Sequence, residues 1–432
     1  MAATVQTAGL FQNIATSTSD KNTWHFRLTP THVAYANTLR RLVLTEVETV
    51  GFRADMTENG STSDVLISKN TTPMTNEMLA HRIGLLPIYV PEPLKFEADK
   101  FLFKLEEKNE KDVSRSITCS DFTVYELKTS SSISNKSETA DNEDNESKNN
   151  TIHTVQEGDT KVQVPTERFF PPHPISRSTC LIATFKPTIY GSSTADNISL
   201  IAKASLGTGR ENARFIPVSQ CSYVYSRDSN PEKIRAMYEK WLVQHKKVMP
   251  ESLKEDPERA KVLEREFNTM EVAKVFLTDE KGEPYSFDFT VETIGILSVP
   301  YIIQRACEVG EAHCLKYSSI GEKTMDSVKI QPADARIRGF DVLFGGEDHT
   351  LGNLFQTWLD QNMVGKGVVS FVGYKIPHPL RDEMLLRIGV EDGKESSVRQ
   401  VIGEAARSCA AMFRGWKSEW QQALEGTKRR AT

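Results

Sequence analysis

No run of about 18 consecutive apolar residues occurs in the 432-residue chain, so no membrane-spanning helix is encoded. The opening residues, MAATVQTAGLFQNIATSTSDKN, lack the basic-then-apolar order of a secretory signal, and an intracellular protein is expected. Cysteine is scarce. The six residues Cys119, Cys180, Cys221, Cys307, Cys314 and Cys409 include no C-x-x-C pair, whereas a zinc site normally brings two ligands in at short spacing. They read as small buried side chains of a reduced protein, with Cys307 and Cys314 sharing one face of a helix. Neither sign of charge dominates: 53 Lys and Arg stand against 58 Asp and Glu, which excludes a basic nucleic-acid coat. GxxxxGK[ST], HExxH and the nucleophile elbow are all missing, which removes the P-loop, zincin and α/β-hydrolase classes.

What is present is a repeated order of elements. At roughly 150 residues per domain, the length predicts two or three domains. TWHFRL (23–28) alternates as a strand does, and a helix is expected from His32 to Glu48. VSQCSYVYS (218–226) and YSFDFTVE (285–292) are strand-like, and 298–317 reads as a helix. The C-terminal part repeats the scheme compactly: strand 338–344, helix 349–362, strands 368–376 and 383–390, then a long final helix. The expected fold is therefore α+β, with two β-α-β-β-α units. The first is split by insertions at about 52–217, mostly β in character, and at about 228–280. Residues 128–150 hold only Ile133 and Ala140 as apolar side chains. They cannot offset their ordering entropy by burial, so an acidic disordered loop over 128–160 is expected.

The expected boundaries are a flexible 1–20, a first unit over 21–51 and 218–317 and its insert over 52–217. A linker at 318–335, a second unit at 336–425 and a basic tail at 426–432 complete the division. The final helix carries Val398, Val401, Ile402, Ala405, Cys409, Met412, Phe413, Trp416, Trp420 and Leu424 at steps of three and four. At 1.5 Å per residue that stripe is roughly 40 Å long, too long for one small domain to cover, and its far end is expected to pack on another domain or subunit. The 349–362 helix puts Leu351, Leu354, Phe355, Trp358 and Leu359 on one face, with Asn353, Gln356, Thr357 and Asp360 opposite. The 32–48 helix buries Tyr35, Leu39, Leu42 and Val43 and turns Asn37, Arg40, Arg41 and Leu44 away, as a second contact surface or a solvated basic face.

The densest polar cluster is Glu347-Asp348-His349-Thr350. It can be read as a hydrolytic centre at Asp348 and His349, but Asp348 and Thr350 are also good helix N-cap types. No partner nucleophile or oxyanion donor stands at recognisable spacing. SLGTGREN (205–212) has a lone GxG between strands, a weak phosphate signal. Pro377-His378-Pro379 and Pro171-Pro172-His173-Pro174 read as turns and loops. A direct DNA-binding module is a third class, disfavoured by the acidic balance.

The residues also carry a resemblance. ANTLRRLVLTEVE (36–48), TTPMTNEMLAHRIGLLPI (71–88), ASLGTGRENARFIPVSQCSYVY (204–225) and FDFTVETIG (287–295) resemble the large alpha-like subunits of multi-subunit RNA polymerases, the third-subunit and archaeal D type. FGGEDHTLGNLFQTWL, VSFVGYKIPHPL and MLLRIGV resemble their small partner, the eleventh-subunit and archaeal L type. The resemblance implies an intramolecular pseudo-heterodimer and a non-catalytic assembly platform on which the largest and second-largest subunits, bearing the active centre, dock. A small tenth- or twelfth-subunit-like protein is a further implied partner, and DNA only an indirect one. Asn37, Arg40 and Arg41 would meet the second-largest subunit; Leu39, Leu42, Leu351, Leu354, Phe355 and Trp358 would form the dimer core. Some relatives carry a zinc loop or an iron–sulfur cluster in the insert; Cys119 and Cys180 alone do not match either, and no cofactor is expected. Both partners in one polypeptide resemble the fusions of nucleocytoplasmic large DNA viruses. That implies viral transcription in the nucleus or a cytoplasmic factory, with packaging in the virion.

Overall fold

The computed structural model describes residues 9–55, 64–128, 160–188, 195–254, 256–323, 325–333 and 337–431. The chain divides into two compact units. One comprises Met1–Leu44, Val218–Glu292 and Val299–Thr432, the other Thr45–Pro217 with Thr293–Ser298.

The first unit contains two halves built alike. The first half runs β1 (Phe11–Thr16), β2 (Thr23–Leu28), α1 (Val33–Thr45), β3 (Val218–Tyr225), two inserted helices α2 (Pro231–Trp241) and α3 (Pro257–Glu266), β4 (Phe287–Thr293) and α4 (Val299–Leu315). The second runs β5 (Val328–Pro332), β6 (Gly339–Gly345), α5 (His349–Asn362), β7 (Val369–Lys375), β8 (Glu383–Val390) and α6 (Glu395–Ala431). Their sheets have the orders β1-β2-β4-β3 and β5-β6-β8-β7, the same strand for strand.

Alternation builds these strands. In β4 the side chains of Phe287, Phe289, Val291 and Thr293 are buried and those between them half-buried. Phe289 stacks on Phe26 of β2 at 5.1 Å. Each sheet also carries one buttressed charge pair on its equivalent strands. Arg27 of β2 opposes Asp288 of β4, with bonds of 2.6 and 3.1 Å. Asp341 of β6 opposes Arg387 of β8, with bonds of 2.6 and 2.7 Å. The signs are exchanged but the place is the same, and the fork-to-carboxylate geometry fixes register in both halves.

The expected β-α-β-β-α order is present twice, with one additional edge strand ahead of each repeat. This corrects two boundaries. Residues 1–20, expected to be flexible, contain β1, whose Phe11 is only 4% exposed. The supposed linker 318–335 contains β5, antiparallel to β6. The acidic loop 128–160 lies outside the described residues apart from its two end residues. The tail does not begin at 426: the backbone of α6 stays helical through Ala431.

The long stripe of α6 is covered from within the chain. Val398, Ile402, Ala405, Cys409, Phe413 and Trp420 are fully buried. The α4 helix packs along α6, and Gly310 sets how close they come. A Cβ at Gly310 would sit 2.9 Å from Leu42 of α1 and 3.1 Å from Phe413 of α6. Three helices therefore meet where only hydrogen fits. The inserted helices α2 and α3 bury a small core of Trp241, Leu242, Leu263, Phe267 and Val275.

The second unit is mostly β, as expected of the insert. Its five-stranded sheet has the order Val65–Asn70, Asn197–Ala202, Phe101–Lys108, Thr123–Lys128, Thr160–Val164, beside the helix Asn76–Gly84. The core is phenylalanine-rich, with Phe52, Phe103, Phe169 and Phe185 fully buried. The GxG of 205–212 is packing, not phosphate chemistry: Ser205–Gly207 pairs with Thr49–Gly51, and a Cβ at Gly207 would stand 2.6 Å from the Phe215 ring.

Candidate functional site

The polar cluster 347–350 lies where the two halves of the first unit meet. Asp348 is the N-cap of α5, its Oδ1 accepting from the Thr350 N–H at 2.7 Å. Its Oδ2 accepts from Arg41 of α1 at 3.0 Å, and the Arg41 Nε donates to the Thr350 hydroxyl at 2.7 Å. One guanidinium from the first half thus clamps the cap of a helix in the second. Both charged side chains are about a third exposed (29% and 30%), so the clamp contributes geometry more than Coulomb energy.

Glu347 is different, because its side chain is 1% exposed. The carboxylate accepts from the Tyr317 hydroxyl at 2.5 Å and from Lys316 at 3.3 Å, and pairs with His313 Nε2 at 2.7 Å. All three partners belong to the end of α4 or the turn after it, in the first half. Burial pushes the Glu347 carboxyl up. The hydrogen bond and charge of His313, with the Tyr317 hydroxyl and Lys316, outweigh that and hold it below the usual carboxylate range. Burial first, and then the bond to Glu347, push the Tyr317 hydroxyl well above its ordinary value.

A ladder continues along α4 and α6. Gln421 meets Gln304 at 3.2 Å, Lys417 meets Glu308 at 2.9 Å and Arg414 meets Glu311 at 2.6 Å. Arg407 reaches the Ser318 carbonyl at 2.9 Å. Each step forward on α4 is matched by an equal step back on α6, which is antiparallel helix pairing in register. The Trp420 indole N–H donates to the Pro300 carbonyl at 3.1 Å, while its ring packs on Phe11 and Phe26. The Tyr35 hydroxyl donates to Gln361 at 3.0 Å across the same seam.

The residues expected to form one docking patch are separated. Arg41 faces the second half. Asn37 and Arg40 form a pair along α1, Arg40 Nε donating to Asn37 Oδ1 at 2.9 Å, and both are half-buried. The Arg40 charge reaches Cys221 and Tyr223 of β3. Of the expected dimer core, Leu39, Leu42, Leu351, Leu354 and Phe355 are buried. Trp358 is only half-buried, and Thr357 is buried in its stead, because the packed arc of α5 is wider than the apolar stripe.

Asp348 and His349 do not act as a hydrolytic pair. Asp348 divides its oxygens between the cap and Arg41, and the exposed His349 pairs with the Tyr374 hydroxyl at 3.3 Å. Among the described residues no group of three His, Cys, Asp or Glu side chains is placed to hold a metal. Five of the six cysteines are buried as expected; Cys180, in the stretch before the strand Leu181–Phe185, is exposed. Sequence reasoning missed the roles of His313, Lys316 and Tyr317 and the Glu308/Glu311 to Lys417/Arg414 pairing. The available signal was the matching three-residue spacing of acids on one helix and bases on the other.

Two family models, both described as the RNA polymerase Rpb3/Rpb11 dimerisation domain, match residues 25–314 and 340–419. The DNA-directed RNA polymerase II subunit RPB3 of Schizosaccharomyces pombe is 44% identical over 68 residues, covering 16% of this chain and 20% of that protein. RPB11 of the same organism is 42% identical over 62 residues, 14% of this chain and 46% of that protein. The Homo sapiens RPAC1 subunit of RNA polymerases I and III is 24% identical over 315 residues, 69% of this chain and 81% of that one. The chain spans a fifth of the yeast RPB3 relative and 51% of the Caenorhabditis elegans RPAC2 relative.

Proposed function

The chain belongs to the RNA polymerase Rpb3/Rpb11 dimerisation-domain family, and from that premise we propose that it is a non-catalytic assembly subunit of a DNA-directed RNA polymerase. It serves as both members of the alpha-like pair. The observation that carries this reading is the seam: Glu347, Asp348 and Thr350 of one half are bound by His313, Tyr317 and Arg41 of the other. A chain built for chemistry would leave such a cluster open to substrate. Here it is consumed in joining two units of the same fold.

The proposed role is a platform for the largest and second-largest subunits, which carry the active centre. Asn37 and Arg40 are the contact with the second-largest subunit. Arginine suits that task, since its fork pairs bidentately with a carboxylate or several carbonyls. Arg41 supports the platform through the seam. A small tenth- or twelfth-subunit-like protein is a further partner. Tethering makes the pairing intramolecular, at an effective concentration of about millimolar order. Neither half then has to find its partner, and the apolar stripe of α6 is covered from the same chain. The fusion, large half first, supports a viral polymerase of the nucleocytoplasmic large DNA virus type, acting in the nucleus or a cytoplasmic factory and packaged in the virion. Among the described residues no helix is long and apolar enough to cross a membrane.

The test is native co-purification of the full-length chain from its source. The two largest polymerase subunits are expected with the wild type and lost with Arg40→Glu, while the variant keeps its thermal transition. Retention of both subunits by a folded Arg40→Glu variant overturns the role of Arg40. Their absence from the wild-type preparation overturns the platform reading.

A further inference from the structure

The second unit holds a pair of cysteines that the assembly role does not use. Cys119 and Cys180 lie at the adjoining ends of two antiparallel strands, Arg115–Thr118 and Leu181–Phe185. Thr118 stands opposite Leu181, and one step further the Cys119 N–H donates to the Cys180 carbonyl at 2.9 Å. The two cysteines therefore face each other across a rung. Opposed antiparallel residues stand about 4.5–5.5 Å apart at Cα, inside the window of about 4.4–6.8 Å that a disulfide accepts. Their side chains already meet, the Cys119 thiol hydrogen-bonding the Cys180 sulfur. The flanks are held as well. The Ser120 N–H donates to Thr179 Oγ1 at 3.2 Å, and the Thr118 N–H to Asp121 Oδ2 at 2.7 Å.

Access divides the pair into two roles. Cys180 is exposed, whereas Cys119 is 1% exposed and the other four cysteines are buried. The hydrogen bond from Cys119 favours the thiolate of Cys180 and holds that thiol down at about 6, against its own partial burial. The same bond and burial keep the proton on Cys119. An accessible attacking sulfur thus stands beside a sheltered resolving one.

We propose that Cys119 and Cys180 are an oxidisable pair that closes to a disulfide on meeting a small-molecule disulfide such as oxidised glutathione. The Cys180 thiolate attacks one sulfur of the small disulfide, forming a mixed disulfide and expelling one small thiolate. Cys119 gives up its proton and attacks the Cys180 sulfur, expelling the second small thiolate. Two protein thiols are oxidised by two electrons, one small disulfide is reduced to two thiols, and the two protein protons end on those thiols. The bond closes the chain from 119 to 180 and pins the two-stranded ribbon at its open end, which restricts the unfolded chain. This inference is independent of the assembly role.

The test uses the full chain incubated with oxidised glutathione, alkylated, and digested with trypsin without reductant. Peptides Ser116–Lys128 and Ser178–Lys203, the latter running on because Lys186 precedes Pro187, are expected as one cross-linked species, two hydrogens lighter than their sum, which separates on reduction. The oxidised protein is expected to melt at higher temperature than the reduced one. Cys180→Ser is expected to abolish the cross-link and leave Cys119 unmodified. Cys119→Ala, shown to be folded by circular dichroism, is expected to stop at a glutathione adduct on Cys180. Recovery of Cys119 as a free thiol in folded, oxidised wild type overturns the proposal, as does cross-linking of Cys180 to any other cysteine at an equal rate.

Discussion

Replacing Glu347 by Gln should loosen the join between the two halves more than any other single change of similar size. The substitution keeps the shape and removes the charge. The wild-type carboxylate is 1% exposed and faces the Tyr317 hydroxyl, His313 and Lys316. Lys316 is 46% exposed and adds little. The hydroxyl and the imidazole count in full, since hydrogen bonds to charged groups are worth about 1.5–3 kcal/mol each. Gln can accept from the Tyr317 hydroxyl, but its NH2 then faces His313 Nε2, which must give up its own proton there to accept it. The expected loss is about 3–5 kcal/mol, the range for removing one partner of a buried pair. The assay is urea unfolding of the full chain, followed by the fluorescence of Trp416 and Trp420, both buried on α6. A cycle with Tyr317→Phe should return a coupling of about 1–2 kcal/mol. The pH dependence has a definite sign. The folded Glu347 carboxyl is held below its ordinary value of 4.5, so its contribution is complete above that value and disappears as pH falls below it toward the folded value. The gap between wild type and variant should therefore narrow from about pH 5 downward. A Glu347→Gln chain within about 0.5 kcal/mol of wild type at pH 7 would refute the claim that this carboxylate joins the halves.

Trp420→Ala should cost about 3–5 kcal/mol by urea unfolding, because it empties the space beside Phe11 and Phe26 and strands the Pro300 carbonyl. Gly310→Val should lower stability by about 1–3 kcal/mol or more, since even one Cβ would stand inside van der Waals contact, 2.9 Å from Leu42 and 3.1 Å from Phe413. Lys417→Glu should lose about 0.5–1 kcal/mol through like charge beside Glu308, and adding Glu308→Lys should restore most of it; a double variant no better than either single one would contradict the pairing. Arg41→Glu, facing Asp348, should lower the thermal transition, whereas Arg40→Glu should leave it nearly unchanged.

The seam explains why a fused pair tolerates polar groups at its centre. In two free chains, every carboxylate buried on pairing would first be desolvated against loss of translational freedom. In one chain the halves are already close, and the polar contacts select register rather than supply affinity.

Local order could be read from local pattern. The strands 23–28 and 383–390 and the helix 349–362 coincide with Thr23–Leu28, Glu383–Val390 and His349–Asn362. Their apolar period is set by the backbone's own geometry, two residues in a strand and about 3.6 in a helix, which needs no knowledge of neighbours. The N-cap role of Asp348 was legible for the same reason. The edge strands β1 (FQNIAT) and β5 (VKIQP) were not. An edge strand is paired on one side and wetted on the other, so little apolar pattern marks it, and only the neighbouring strand's open hydrogen bonds determine where it lies. Whether an acid just ahead of a helix is solvated or buried was likewise undecided. Glu347 and Asp348 are adjacent in sequence, yet one is sealed beneath Tyr317 and the other is a third open to water beside Arg41. Local residue pattern thus suffices for which segments fold as strands and helices and for the repeat of their order. Tertiary structure alone decided which charges meet, because pairing across hundreds of residues depends on how two sheets and three helices close on one another, and no local period encodes that distance.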